Sequence, residues 1–267
     1  MDASRISALL EPYLNEGCLT SRGVRDVGIP DAGARDARPQ PMGSKLSPTQ
    51  LDQISTYIDL LLRWNARINL TAIRDPEEIV PRHFGESFFL ARHLFPAARV
   101  KTESAPSQLV AHSSKLVIDL GSGAGFPALP IKIWAPQIHL TMIESNHKKA
   151  TFLREAARAL TLTNVDVIAD RAESVADGIP EPRAGDRSPS VKKAFPPADV
   201  VTFRAVEKFT RILPVARKFM APDGRIAVLI TTAQLPELES IPDLHWQVIN
   251  DPQSLSRVMA IGTTKVE

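Results

Sequence analysis

The chain has one cysteine, Cys18, in 267 residues. An internal disulfide framework is therefore excluded, and the usage fits a reducing compartment. Long apolar runs are also missing: none approaches the ~18–20 residues that cross a bilayer. The N-terminus, MDASRISALLEPYLNEG, carries acids where a secretory signal needs a basic start and a long apolar core. A cytoplasmic protein with no membrane partner is expected, with a monomer as the default state. Charge of one sign is not in excess, since 32 Lys and Arg face 30 Asp and Glu for a net +2. The sequence pI of 8.7 falls short of the value above ~9 that marks a nucleic-acid binder by total charge. A nucleic-acid role would have to come from local clustering of basic side chains. What remains, 43% hydrophobic and 23% charged residues, suits one large globular domain or a domain with an appendage.

Ile6, Leu9, Leu10, Tyr13 and Leu14 recur at helical spacing and predict a short helix over residues 3–15. Periodicity is then lost among scattered Gly, Pro, Arg and Asp, so residues 1–45 are expected to be a poorly ordered extension. A helix opens at Ser47-Pro48, with serine as N-cap, proline at the first position and Gln50 completing a capping box. Its buried face is Leu51, Ile54, Tyr57, Ile58, Leu61 and Leu62. Asp75-Pro76-Glu77-Glu78 caps the next helix, which is interrupted or begun at Pro81. Residues 46–114 are thus a helical layer and linker, and 115–267 a second unit in which short apolar strands alternate with helices. That alternation predicts an α/β, Rossmann-like, doubly wound and mostly parallel sheet. The strands are KLVIDLG, IHLTMIES, VDVIAD, ADVVTFRA, RIAVLIT and RVMAIGT, with a helix before Pro222-Asp223-Gly224. A mobile insertion is expected at 177–199, dense in Pro, Gly, Ser and charge; its Arg183, Arg187, Lys192 and Lys193 could contact RNA or simply be solvated.

DLGSGAGFPALP, residues 119–130, is where chemistry is expected. Glycines between a strand and a helix allow a ligand close to the backbone. The spacing does not fit a dinucleotide fingerprint, because Phe126 stands where a small residue should pack, and no Gly-Lys-Ser/Thr follows for a P-loop. Asp119, two residues before Gly121, would repel a pyrophosphate but can pair with an α-amino group. That points to an amino-acid-bearing cofactor, S-adenosylmethionine. Glu144, at the end of the second strand and a little over ~20 residues on, is placed to accept hydrogen bonds from ribose hydroxyls. Asp170-Arg171-Ala172-Glu173 closes the third strand beside the same crevice and could meet an adenine edge, or cap the turn that follows.

The stretches RWNARINLTAIRDPEEI, RHFGES, DLGSGAGFPALPIKI, IESNHKKATFLREA, DRAE and FRAV, in this order over residues 46–230, resemble the RsmG/GidB family, the 16S ribosomal RNA guanine-N7 methyltransferases. The resemblance implies a class I methyltransferase fold, S-adenosylmethionine contact by Gly121, Phe126, Ala172, Glu173 and Arg204, and a guanine in the decoding-region loop of small-subunit rRNA. With Gly123 and Glu144 from the loop chemistry, these are the candidate cofactor residues. Three positions depart from the family: Ala128 replaces a glycine, Gly85-Glu86 replaces leucine-aspartate, and LITTAQ lacks the Lys-Gly usual after the fifth strand. Residues 1–45 and 177–199 lie outside the resemblance.

No catalytic side chain is assigned, and no metal is expected, because the six histidines lack ligand spacing. Guanine nitrogen 7 already exposes a lone pair, so orientation rather than a general base is expected to supply the rate. Lys148, Lys149, Arg154, Arg63, Arg67, Arg74, Arg82 and Lys208 are candidates for a phosphate-binding track, or are solvated helix faces. Trp64 and Asn65 read as core packing and a cap. Two rival readings remain: a nicotinamide-dependent oxidoreductase on the same fold, and an RNA-binding or ribosome-assembly factor with a vestigial pocket.

Overall fold

The structure, a computed structural model, describes residues 1–15, 24–27, 46–96, 115–180, 192–193, 195–204, 209–239 and 243–265. The chain opens with helix α1 (Ala3–Leu14), strand β1 (Val24–Val27) and α2 (Pro48–Ile68). Then come α3 (Pro76–Ile79), a π-helical turn (Val80–Gly85) and α4 (Glu86–Leu94). The α/β part continues with β2 (Leu116–Leu120), α5 (Ala128–Trp134), β3 (His139–Ile143), α6 (His147–Ala159), β4 (Val165–Ile168) and α7 (Ala172–Ala176). A small ladder of β5 (Ile179–Pro180) and β6 (Lys192–Lys193) precedes β7 (Ala198–Arg204) and α8 (Phe209–Phe219). The chain closes with β8 (Met220–Thr231), α9 (Leu235–Glu239), β9 (Leu244–Asn250) and β10 (Arg257–Thr264).

Local chemistry sets the helix ends. The α2 capping box forms as the sequence predicts: Gln50 N–H donates to Ser47 Oγ at 3.3 Å and Ser47 N–H to Gln50 Oε1 at 2.9 Å. At its other end Asn65, buried, accepts from Leu70 N at 2.7 Å and Thr71 N at 3.0 Å, so it caps the chain as it leaves the helix. Trp64 packs edge-on against Phe152 at 5.8 Å. Asp75 caps α3 by accepting from Glu77 N at 2.9 Å.

The main sheet has eight strands in the order β1-β9-β10-β8-β7-β2-β3-β4. Pairs β2–β3, β3–β4, β2–β7 and β7–β8 are parallel, while β10 and β1 run against their neighbours. The order reverses at β2 and β7, the switch point where open α/β sheets bind ligands. Period-two alternation sends Val117, Leu140, Val200, Leu229 and Met259 into one core with α1, α2, α4, α5 and α6. Ile118, Ile143, Val201, Phe203 and Val228 go to the opposite core, with α7 and α8.

Three details differ from the sequence reading. The first residues of the 1–45 segment are not loose: α1 packs Ile6 and Leu10, both fully buried, against the helical layer. Tyr13 lies over Gly85, where an added Cβ would come within 2.5 Å of its ring. Glycine at that position, where the resembled family has leucine, thus opens the seat for Tyr13. Residues 16–23 and 28–45, including Cys18, lie outside the described residues, as do 97–114 and, within the expected insertion, 181–191 and 194. The Pro222-Asp223-Gly224 turn is a bulge inside β8, where the β7 register jumps from Ala198↔Met220 to Val200↔Arg225. Finally, β9 was absent from the sequence reading; it buries Leu244, Trp246 and Val248 and turns Gln247 to solvent.

Candidate active site

The glycine loop follows β2 at the switch point. Gly121, Gly123 and Gly125 have φ of 66°, 55° and 86°, a left-handed backbone that glycine adopts without a Cβ penalty. Glu144, buried at the end of β3, holds the loop in place. Its Oε2 accepts from Gly123 N and its Oε1 from Asn146 N, each at 2.8 Å. Asn146 in turn caps α6, accepting from Lys148 N and Lys149 N. The loop has one open side and one closed side. A Cβ on Gly121 would meet nothing within 4 Å, whereas one on Gly125 would lie 2.4 Å from the Tyr57 hydroxyl. That hydroxyl, carried by α2, donates to the Ala124 carbonyl. The helical layer therefore clamps the back of the loop and leaves its front to a ligand.

Asp119, in β2 two residues before Gly121, is 1% exposed. Its Oδ1 accepts from Thr202 Oγ1 at 2.6 Å, while Oδ2 is buried with no hydrogen-bond partner among the described residues. Burial pushes the carboxyl up to about 7, against the pull of the nearby Ser122 and Thr202 hydroxyls. A buried acceptor without a donor is costly, and a cationic amino group reaching it would satisfy it. The residues present therefore fit the amino-acid end of S-adenosylmethionine.

An Asp raised in the folded state keeps a proton that the unfolded chain loses, so its contribution to the ligand-free fold falls as pH climbs from about 4 to about 7. Cofactor affinity moves the other way, because the ammonium pairs only with the ionised carboxylate. Titration calorimetry should show S-adenosylmethionine affinity rising with pH up to about 7 in the wild type. Asp119→Asn should bind at least about tenfold more weakly at pH 7.5 and lose that slope. An unchanged slope in the variant would reject Asp119 as the partner.

Phe126 supports the loop from behind. It is stacked on Tyr57 (5.2 Å, 7°) and on His83 (4.7 Å, 24°), with Phe84 edge-on at 5.2 Å. Burial and the guanidiniums of Arg204 and Arg82 drive His83 down to about 3, so it is neutral. Arg204 Nη1 lies 3.2 Å from its Nδ1, and Thr71 Oγ1 lies 2.8 Å from its Nε2. Arginine can only donate, which places the histidine proton on Nε2, facing Thr71.

Arg204, at the end of β7, is pinned rather than free. Its Nη2 donates to Glu86 Oε2 at 2.7 Å and to the Arg82 carbonyl at 2.8 Å. The π-helical turn explains the second bond: it takes the Glu86 N–H to Pro81 O instead of Arg82 O, leaving that carbonyl available. Glu86, 3% exposed, also pairs with Arg82 and, at 3.1 Å, with Arg257 Nε. Burial raises the Glu86 carboxyl and the guanidiniums of Arg204 and Arg82 pull it back.

The structure thus sets Gly121, Gly123, Phe126, Glu144, Ala172, Glu173 and Arg204 along the carboxyl edges of β2, β3, β4 and β7. Gly123 and Glu144 touch directly, and Arg204 reaches Phe126 through His83. Ala172 is buried at the start of α7 with Glu173 exposed beside it. Most of the Phe126 ring is spent on packing, which leaves little of it to face a cofactor. Sequence reasoning missed Thr202, His83, Asp251 and Arg257 as site residues, and took Tyr57 as core only. Among the basic candidates, Arg63, Arg67, Arg74, Lys148 and Arg154 are exposed and Arg82 enters the site; Lys208, Arg183 and Arg187 lie outside the described residues. No group of three metal-ligating side chains occurs among the described residues, and no helix there is long and apolar enough to cross a membrane.

Both the fold and the sequence have known counterparts. The solved O-methyltransferase from Bacillus cereus in complex with SAH superposes with a TM-score of 0.52 at 12% identity, covering 78% of this chain and 91% of that one; the likeness is one of fold. In sequence, the ribosomal RNA small subunit methyltransferase G of Roseiflexus castenholzii is 38% identical over 189 residues, 68% of each chain. That of Bacillus subtilis is 33% identical over 198 residues, 74% of this chain and 71% of the relative. The sequence model of the rRNA small subunit methyltransferase G family, GidB, matches residues 50–245, from α2 into β9 and across the whole glycine-loop edge. The chain belongs to that family.

Proposed function

We propose that this protein transfers a methyl group from S-adenosylmethionine to nitrogen 7 of a guanine in the decoding-region loop of 16S rRNA, acting as a monomer in the cytoplasm. Family membership makes it an S-adenosylmethionine-dependent methyltransferase. The observation that carries the reading is the orphaned Asp119 oxygen two residues before an open glycine loop, in a fold shared with methyltransferases.

The bound cofactor supplies an electrophilic methyl group. The protein's share is placement. Asp119 would hold the amino group, the backbone of Gly121 and Gly123 the amino-acid chain, and Glu144 the ribose through lone pairs its two backbone donors leave free. Ala172 and Glu173 would border the adenine. Guanine nitrogen 7 is an acceptor with no proton to remove, so the chain needs no base at that atom. Orientation and exclusion of water lower the barrier, and the half-buried, neutral His83 stacked on Phe126 fits a wall of that kind.

Titration calorimetry with S-adenosylmethionine and with NAD(H) separates this reading from an oxidoreductase: tight binding of the first and none of the second is expected, and the reverse would reject it. Gly121→Asp, with a carboxylate in the open front of the loop, is expected to abolish methyl transfer. Full rRNA modification in cells carrying only that variant would favour an assembly factor instead.

A further inference from the structure

Arg204 also lines a pocket on the same edge of the sheet. Its walls include Arg82, Glu86, Thr231, Asp251 and Arg257, above an apolar floor formed in part by Leu229 and Met259. We infer that this pocket grips a phosphodiester of the RNA strand that presents the acceptor base, with Arg257 and Arg82 as its ligands. The inference rests on the RNA methyltransferase reading and adds a binding site to it.

Charge carries the argument. Three guanidiniums, those of Arg82, Arg204 and Arg257, converge on the single carboxylate of Glu86. Asp251, whose carboxyl burial pushes up and the arginines pull back, is the second acid. With both acids ionised the pocket still holds one uncompensated positive charge, in a partly desolvated setting where charge is felt strongly. The cations are also graded by depth. Arg204 and Glu86 form the base of the cluster, with side chains 10% and 4% exposed. Arg82 and Arg257 stand at the mouth, at 34% and 27%. Arg257 Nε is buried with no hydrogen-bond partner of good geometry among the described residues, although it lies 3.1 Å from Glu86 Oε1. The ion pair with Glu86 holds the guanidinium at the rim.

The fold explains why Arg257 serves here. The turn after β8, Thr232–Gln234, brings no basic side chain. Arg257 pairs with Thr231 in the antiparallel β10–β8 ladder, so the adjacent strand delivers a cation to the rim. The pocket is joined to the glycine loop by packed groups, from Arg204 through His83 to Phe126, which places a strand held here beside the cofactor cleft. A rigid, planar guanidinium fork matches phosphate oxygens. Each single-strand phosphate contact contributes about 0.7 to the slope of log affinity against log salt.

The test uses the full chain, with poly(U) and poly(A) RNA as probes, over a salt series. Arg257→Gln is expected to weaken both RNAs by about tenfold at low salt, equally for the two, and to reduce the salt slope by about 0.7. S-adenosylmethionine affinity should stay at the wild-type value. Arg257→Lys, which keeps the charge, should keep the slope. An unchanged slope in Arg257→Gln overturns the inference, as does weaker cofactor binding, which would mean that Arg257 acts only by holding Glu86 and Arg204. A loss confined to one of the two RNAs would assign the pocket to the base instead of the phosphate. Wild-type protein with no affinity for any RNA would count against the functional reading itself.

Discussion

Gly125→Ala is expected to be among the most damaging single-methyl additions to this protein. At φ of 86° an alanine pays about 1–2 kcal/mol for the left-handed backbone. Its Cβ would also sit 2.4 Å from the Tyr57 hydroxyl and 2.7 Å from Leu129 Cδ1, and forcing atoms into a filled site adds roughly 1–3 kcal/mol. The neighbours cannot step aside cheaply, because Tyr57 is fully buried, stacked on Phe126 and bonded to Ala124. A total of about 3 kcal/mol corresponds to a thermal midpoint roughly 6–12 °C lower in a chain of this size. The same displacement moves the loop that would cradle the cofactor, so binding should weaken by more than tenfold. Gly121→Ala is the control: its backbone strain is similar, but it meets open space. It should lose far less stability. Equal losses in the two variants would show that the Tyr57 clamp is unimportant.

Glu86→Ala should be comparably severe for a different reason. The carboxylate is buried and holds Arg82, Arg204 and Arg257, so removing it leaves three like charges facing each other with one compensating acid, Asp251. Breaking a buried pair in this way typically costs about 3–5 kcal/mol. A denaturant midpoint shifted by that amount is expected, with Glu86→Asp in between, since it keeps the charge but falls short of one arginine or more. A shift within about 0.5 kcal/mol, the size of an ordinary surface change, would mean that the cluster does not depend on its acid.

Much of this molecule was legible because much of it is locally determined. Ser47, Gln50 and Asp75 announce helix starts by chemistry confined to three or four residues, and the structure has the same bonds. Parallel strands buried on both faces read as short apolar runs. Asp119, the loop glycines and Glu144 fall within about 25 residues, as the strand–helix–strand unit requires. What escaped depends on distant segments. β9 alternates apolar and polar residues, but its neighbour β10 lies further along the chain and decides the pairing. Pro222-Asp223-Gly224 has the composition of a turn, yet the β7–β8 pairing on both sides absorbs it as a bulge. Arg257, Asp251 and Tyr13 come from opposite ends of the chain to one carboxylate or its neighbours, and nothing local to any of them signals it. The departure Gly85-Glu86 was visible, but its meaning, a seat for Tyr13 beside the acid that holds three arginines, needed the fold.

The central claim is the reaction, and mass-spectrometric mapping of 16S rRNA from a deletion strain tests it most directly. One guanine in the decoding-region loop should lose its nitrogen-7 methyl group, and the wild-type chain should restore it while Gly121→Asp does not. A methylation pattern unchanged by the deletion would contradict it.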